Sequence, residues 1–268
     1  MNYPSGKTHL VLLIADPVAH VRAAQFVNPL FEKKKLDAFL IPVHVRAADL
    51  SDVVPRLAKL GNVKGLVVTI PHKETIARLC AELGPNAKMV GAVNVVRIEG
   101  GGRLIGEMFD GDGLLATARS NAIGYKGRRV LVLGAGGAGR AVAFSMAREG
   151  AGEIAVHNRT AARAERLVAD IKAQFPQAIA RVAVADAHDI DLVVNCTSVG
   201  LHEGDAPPLD LATLGPATDV IDIIAVRETE LMQAARARGC KVVGGRPMLE
   251  LQLDAQLAFI GTPPPLPQ

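Results

Sequence analysis

A chain of 268 residues, 49% of them hydrophobic, is long enough for two modest domains with filled cores and too apolar for a disordered segment. Thirty Lys plus Arg against 27 Asp plus Glu leave a formal charge of +3. That charge is spread without a basic block or an interleaved aromatic series, which argues against a nucleic-acid partner. Cys80, Cys196 and Cys240 are odd in number and far apart, so neither a disulfide framework nor a zinc-type ligand set is expected, and no metal site. The apolar run 10–15 closes at Asp16, too soon for an export signal, and no stretch reaches the ~20 apolar residues of a membrane span. The expectation is a cytoplasmic protein without a membrane partner, acting on a small molecule as a monomer or homodimer. With no Trp and 3% aromatics the cores must be built from Val, Leu, Ile and Ala, which suits parallel sheets covered by helices.

In chain order, short apolar runs alternate with amphipathic segments. Strands are expected at 9–14, 37–42, 65–70, 129–133, 153–157, 191–195, 219–223 and 241–243, and helices at 23–35, 47–59, 137–149, 161–173 and 228–238. This βαβα alternation predicts a parallel α/β architecture with right-handed crossovers. Glycines 100–102 mark a hairpin between strands 92–98 and 103–107. The domain junction is placed just beyond it. Residues 1–112 form a substrate domain, completed by a returning helix 247–260 within 246–268, and residues 113–245 form a second domain. The last seven residues, 262–268, contain four prolines and are expected to fray.

After the run 129–133 comes Gly134-Ala135-Gly136-Gly137-Ala138-Gly139-Arg140, followed by a helical pattern. This is the G-x-G-x-x-G dinucleotide fingerprint in its required strand, turn and helix context. Gly134 allows the tight turn, Gly136 lets backbone approach a pyrophosphate, and Gly139 permits close helix-to-strand packing. The helix start offers unpaired N–H groups to the phosphates. A doubly wound Rossmann-type domain follows. The next strand leads into Asn158-Arg159-Thr160, where an NAD enzyme usually offers an acid to the ribose. Here Arg159, with Arg163 one turn later, suits a 2′-phosphate, so NADP is favoured and NAD stays possible. The plainer alternative is that both arginines are solvated and Thr160 only caps a helix.

Upstream, Thr69-Ile70-Pro71-His72-Lys73 follows a strand, Gly91-Ala92-Val93-Asn94 leads into the hairpin, and Asp110-Gly111 leaves it. In this order the segments resemble the shikimate dehydrogenase family, whose motifs read N-V-T-x-P-x-K, G-A-V-N-T and N-T-D-G. The resemblance covers nearly the whole chain and implies a hydride transfer between NADP(H) and a shikimate-like alicyclic hydroxy/oxo acid, of the shikimate 3-dehydrogenase type and within aromatic amino acid biosynthesis. It implies Lys73 as general acid/base and Asp110 as its paired carboxylate, in a cleft between the domains. Loss of hydride from an alcohol carbon requires the hydroxyl proton to leave, which an amine oriented by a carboxylate can accept. It further implies substrate contacts from Thr69, Asn94 and Gln252. The segment 195–200, with Thr197 and Val199, resembles the family loop by the cofactor ribose, and Gly245 and Met248 fall where the family meets the nicotinamide. Met248 alone would read as ordinary helix packing.

The chain departs from the family at the end that receives the substrate carboxylate. Two serines of the family pattern are replaced by Val21 and Ala23, an asparagine by Val67, and the N-T of N-T-D-G by Met108-Phe109. A tyrosine expected before Glu228-Thr229 is missing, 223–226 being apolar in that stretch. Hydrogen bonds to charged groups contribute about 1.5–3 kcal/mol each, so an unreplaced pair of hydroxyls is a large loss. Arg22 and His20 are candidates for a new carboxylate anchor, against ordinary solvated side chains. A less polar ring substrate is equally compatible with these residues. The competing function is a catalytically weak nucleotide-binding sensor of the same fold, against which the retention of both Lys73 and Asp110 speaks.

Overall fold

A computed structural model describes residues 4–19, 21–261, 263 and 265. The chain divides into two compact units, residues 1–109 with 252–268, and residues 110–251. In the first unit β1 (His9–Ala15), α1 (Ala23–Lys33), β2 (Ala38–His44), α2 (Leu50–Leu57), β3 (Val63–Val68), α3 (Lys73–Leu79), β4 (Glu82–Leu83), α4 (Pro85–Val90), β5 (Val95–Glu99) and β6 (Arg103–Glu107) follow in order. They build a six-stranded sheet, β2-β1-β3-β5-β6-β4. The first three strands are parallel, as their apolar runs and intervening helices require. β5 and β6 form the expected hairpin, and β5 runs antiparallel to β3, so this sheet is mixed, not wholly parallel. β5 starts at Val95 and not at residue 92, because Gly91 adopts φ 73° to end α4 and Asn94 turns its side chain to other partners. Helices α3 and α4 and the two-residue β4 were not anticipated; their short apolar stretches carry too few turns to show a period.

The second unit holds α5 (Asp110–Ser120), β7 (Arg129–Leu133), α6 (Gly137–Arg148), β8 (Glu153–His157), α7 (Ala161–Gln174), β9 (Ala180–Val182), β10 (Leu192–Asn195), β11 (Asp219–Asp222), α8 (Glu230–Ala237), β12 (Val242–Val243) and α9 (Arg246–Leu251). Its strands are all parallel in the order β12-β11-β10-β7-β8-β9. Counted from β7 this is the doubly wound order 6-5-4-1-2-3 of dinucleotide-binding folds. β7, β10 and β11 are almost wholly buried, as continuous Val, Leu and Ile runs demand in a sheet covered on both faces. The unit begins at Asp110 and ends at Leu251, where the sequence suggested 113 and 245. Helix α5 packs on α6 and α9, and those two contacts hold both flanks within this unit.

The C-terminal segment does not form one helix over 247–260. It breaks at Gln252 into α9 and α10 (Leu253–Ile260), and α10 belongs to the first unit, where it packs on β5. Leu253, Leu257 and Ile260 join Val11, Leu13, Val27, Phe31 and Val95 in one apolar cluster. Beyond it Pro265 bridges antiparallel to Leu36, a tie that the fraying expected for 262–268 did not include. Residues 262, 264 and 266–268 of that stretch lie outside the described residues, as does His20, one of the two candidate carboxylate anchors. No helix among the described residues is long and apolar enough to cross a membrane.

Candidate functional site

In the first unit the polar candidates collect where β1 and β3 end and β5 begins, the carboxyl edge at which open α/β sheets receive ligands. Thr69 follows β3 and donates its N–H to the Ile14 carbonyl at 3.1 Å. Its own carbonyl accepts the His72 N–H, so the chain turns at once into α3 with the half-buried Lys73 as first residue. The turn is anchored below by buried His72, whose Nε2 lies 2.8 Å from the Val45 carbonyl oxygen. The Lys73 carbonyl accepts the Val93 N–H at 2.9 Å, and the Val68 N–H donates to the Asn94 carbonyl at 2.7 Å. Backbone bonds therefore clamp the lysine-bearing turn to the 91–94 segment.

Asn94 is 3% exposed and Gln252 4%. The Asn94 Nδ2 donates to Gln252 Oε1 at 3.0 Å, while its Oδ1 accepts the Phe109 N–H at 2.9 Å. Gln252 Oε1 also accepts from Gln256 Nε2 at 2.6 Å. Thr69, Lys73, Asn94 and Gln252 thus come from three segments to one sheet edge. The apolar replacements lie beside them. Val21, Ala23, Val67 and Phe109 all pack on the cluster of Leu13, Val95 and Leu257 while staying partly open. Arg22, the other candidate anchor, is exposed at the start of α1. Asp110 is buried and opens α5 in the second unit, a helix start and not the turn that an Asp-Gly pair suggests on its own.

In the second unit the fingerprint sits at the carboxyl end of β7. Gly134 has φ 100°, a conformation open to glycine, and its N–H donates to the His157 carbonyl at 2.7 Å. A Cβ on Gly134 would stand 3.1 Å from the Cys196 carbonyl oxygen, so the β7 and β10 exits meet closely at the point where the strand order reverses. A Cβ on Gly139 would collide with the Gly134 carbonyl. Gly136 caps α6, with Gly137 and Ala138 in the first turn, and a Cβ there would meet nothing within 4 Å. This is the form expected of a loop whose outer side is kept for a pyrophosphate at a helix start. Asn158 Oδ1 accepts the Ala135 N–H at 3.0 Å and its Nδ2 donates to the Thr160 carbonyl, which ties the glycine loop to the β8 exit. Arg159, Thr160 and Arg163 are exposed there, and Thr160 makes no side-chain cap bond at the start of α7. Arg140, next to the loop, is instead committed to Asp170 at 2.8 Å.

A buried network not anticipated from the sequence shapes the β10 and β11 exits. Asp222 is 0% exposed, and its Oδ1 accepts from Asn195 Nδ2 and the Ile224 N–H while its Oδ2 accepts the Thr229 hydroxyl. Burial pushes the Asp222 carboxyl above its ordinary value, against the pull of these three donors. Asn195 Oδ1 in turn accepts from the N–H and hydroxyl of Thr197, and Thr197 Oγ1 accepts the Val199 N–H. The loop predicted to lie by the ribose is thereby locked to β11. Gly245 donates its N–H to the Ile224 carbonyl, so Gly245 and buried Met248 of α9 rise from the same edge. The acid ending an apolar strand in Val220-Ile221-Asp222 was the signal available. Among the described residues no group of three or more His, Cys, Asp or Glu side chains could hold a metal ion.

The reversal of strand order over a glycine turn defines a dehydrogenase-type α/β protein with a Rossmann unit. The chain belongs to the shikimate dehydrogenase family: residues 13–96 match the shikimate dehydrogenase substrate binding domain, and residues 116–201 match shikimate / quinate 5-dehydrogenase. The shikimate dehydrogenase (NADP(+)) of Geobacter metallireducens is 38% identical over 273 residues, covering 97% of this chain and 94% of its own. The crystal structure of shikimate 5-dehydrogenase from Thermus thermophilus in complex with NADP(H) and shikimate is 29% identical with a TM-score of 0.85, over 96% of this chain and 95% of that one. The ligand-free 5-ketofructose reductase of Gluconobacter sp. strain CHM43 is also 29% identical, with a TM-score of 0.81 over 98% and 96%.

Proposed function

We propose that this chain is an NADP-dependent dehydrogenase that interconverts a hydroxyl and a carbonyl on a small alicyclic ring, the shikimate type of ring acid being the class that family membership favours. The observation that carries the reading is the clamp at the first sheet edge. Lys73 is bonded through its carbonyl to Val93, and Asn94 of the same segment holds Gln252. An amine and two amides at that edge can orient a hydroxylated ring, with Thr69 beside them. When the alcohol carbon gives up its hydride, its hydroxyl proton passes to Lys73; in the reverse direction Lys73 returns it. Asp110 is the carboxylate that the family likeness assigns to orienting that amine.

NADP fits the second unit. Gly134 to Gly139 offer a turn with open space over Gly136, Thr197 and Val199 border it, and Gly245 and Met248 rise from the same edge. Asn158 fixes the loop, Thr160 opens the following helix, and the Arg159 and Arg163 guanidiniums suit a 2′-phosphate. The nicotinamide, when bound, supplies the hydride chemistry. The replacements at Val21 and Ala23 mark an altered carboxylate end.

Turnover of a panel of ring acids and ring alcohols with NADP and with NAD tests the reading. The expected result is NADP-linked oxidation of at least one ring alcohol that is abolished in Lys73→Ala. NADP binding without turnover of any member would favour the nucleotide-binding sensor instead.

A further inference from the structure

The first unit carries a second feature at its ligand-receiving edge. Val67 of β3 is in register with Leu13 of β1 and with Val95 of β5, so the three form a row across one face of the sheet. That face is covered by Val27 and Phe31 of α1 and by Leu253, Leu257 and Ile260 of α10. The polar pair lies at the end of this same row: Asn94 directly precedes Val95, Gln252 directly precedes α10, and Thr69 stands two residues beyond Val67. Phe109 closes the row. Its N–H is held by Asn94 at 2.9 Å, and its ring meets Phe259 of α10 edge-on at 5.7 Å between centroids. The Arg97 guanidinium in turn lies 5.1 Å over the Phe259 ring and is paired with Glu99 at 2.8 Å.

Phe109 is therefore held on its backbone and on its ring. Val67 and Phe109 flank the Asn94 segment, and Val21 and Ala23 beyond the end of β1 pack on the same core, so the four offer an apolar wall that stays partly open. These four side chains offer a carboxylate no donor, so one lying on them would leave water without compensation from the wall, which is strongly unfavourable. A hydrocarbon ring edge would instead bury apolar surface there.

We infer that the ring turned over by this chain meets the wall of Val21, Ala23, Val67 and Phe109 with an uncharged edge, so that its preferred substrates are ring alcohols and ketones without a carboxylate. This rests on the dehydrogenase reading above and replaces its ring-acid class with an uncharged one. Hydroxyl recognition is left to Thr69, Asn94 and Gln252. Arg22 projects into solvent at the head of α1 and takes no part in the selection.

The test compares shikimate with the matching cyclohexenetriol that lacks the carboxylate. Specificity constants are measured with NADP, and dissociation constants are measured calorimetrically on the NADP-loaded enzyme. The expected result is at least a tenfold preference for the uncharged triol in both, and a shift of tenfold or more towards shikimate in V21S/A23S. A preference below tenfold, or one for shikimate, overturns the inference, as does loss of shikimate binding in R22A. Binding of the triol at least tenfold tighter than shikimate, with no ring alcohol of the panel turned over, fails the dehydrogenase reading while the contact of an uncharged ring edge with the wall stands. Failure of both rings to bind at millimolar concentration overturns the inference alone if the ring oxidised in their place carries a carboxylate, and an uncharged ring oxidised in their place keeps it.

Discussion

The side-chain amide of Asn94 donates to the side-chain carbonyl of Gln252 at 3.0 Å, joining residues 158 positions apart in the sequence. One end of that bond also fixes Phe109, and the other receives Gln256. Asn94→Ala leaves the Phe109 N–H without its acceptor and the Gln252 carbonyl with one donor fewer. A stability loss of about 1–3 kcal/mol is expected, read as a lower urea midpoint with an unchanged slope. Asn94→Asp keeps an acceptor for Phe109 but sets a buried negative charge against the Gln252 carbonyl oxygen, and should lose more.

Gly136 and Gly139 separate binding from folding. Gly139→Ala drives a methyl group into the Gly134 carbonyl, so both thermal stability and NADP binding should fall. Gly136→Ala meets nothing in the free protein and should leave the melting temperature within a few degrees, while NADPH titration by fluorescence shows weakened binding.

Removing both arginines of the β8 exit, in Arg159→Ala with Arg163→Ala, should erase the preference for NADP. Charge-assisted contacts contribute about 1.5–3 kcal/mol each and a factor of ten is about 1.4 kcal/mol, so loss of the two should drop the NADP to NAD ratio of specificity constants about 10²- to 10⁴-fold. Binding of NAD itself should hardly change.

Lys73→Ala should lower kcat by about 10²- to 10⁴-fold, the usual worth of a positioned acid/base, with NADP affinity unaltered within about twofold. Stopped-flow turnover and NADPH titration on the same preparation check both halves.

Two buried or bridged carboxyls should act in opposite directions on stability. Burial raises the Asp222 carboxyl above 3.8, so the folded chain keeps its proton where the unfolded chain has lost it. Its contribution is full below that pH and is withdrawn as pH rises through the folded value. Asp191 is lowered, chiefly by the Arg129 side chain, so its contribution is present above 3.8 and lost as pH falls through the folded value. Carboxyl carbon titrations by NMR should place the Asp222 midpoint above 3.8 and that of Asp191 below.

The doubly wound unit was legible because its strands are unbroken apolar runs and its glycine loop has a fixed spacing; β7 and β8 fall on the residues expected. β9 was missed because Ala180-Arg181-Val182 is short and mostly exposed at the sheet edge. In the first unit the hairpin was read from Gly100 to Gly102, but nothing local told that β5 would run against β3. The segments of Thr69, Lys73 and Asn94 could be picked out by their resemblance to known motifs, whereas the bond that joins Asn94 to Gln252 spans most of the chain and leaves no periodic trace. Gln252 as the break between α9 and α10 was equally hidden, since Met248, Leu249, Leu253 and Leu257 keep a helical spacing straight through it.

That break has a bearing on how the protein is made. A ribosome releases residues 110–251 before the stretch that completes the earlier-built sheet, so the Rossmann unit has all of its strands and helices while the other still waits for Leu253, Leu257 and Ile260. A released chain ending at residue 251 should therefore protect the second unit from protease and leave the first one open.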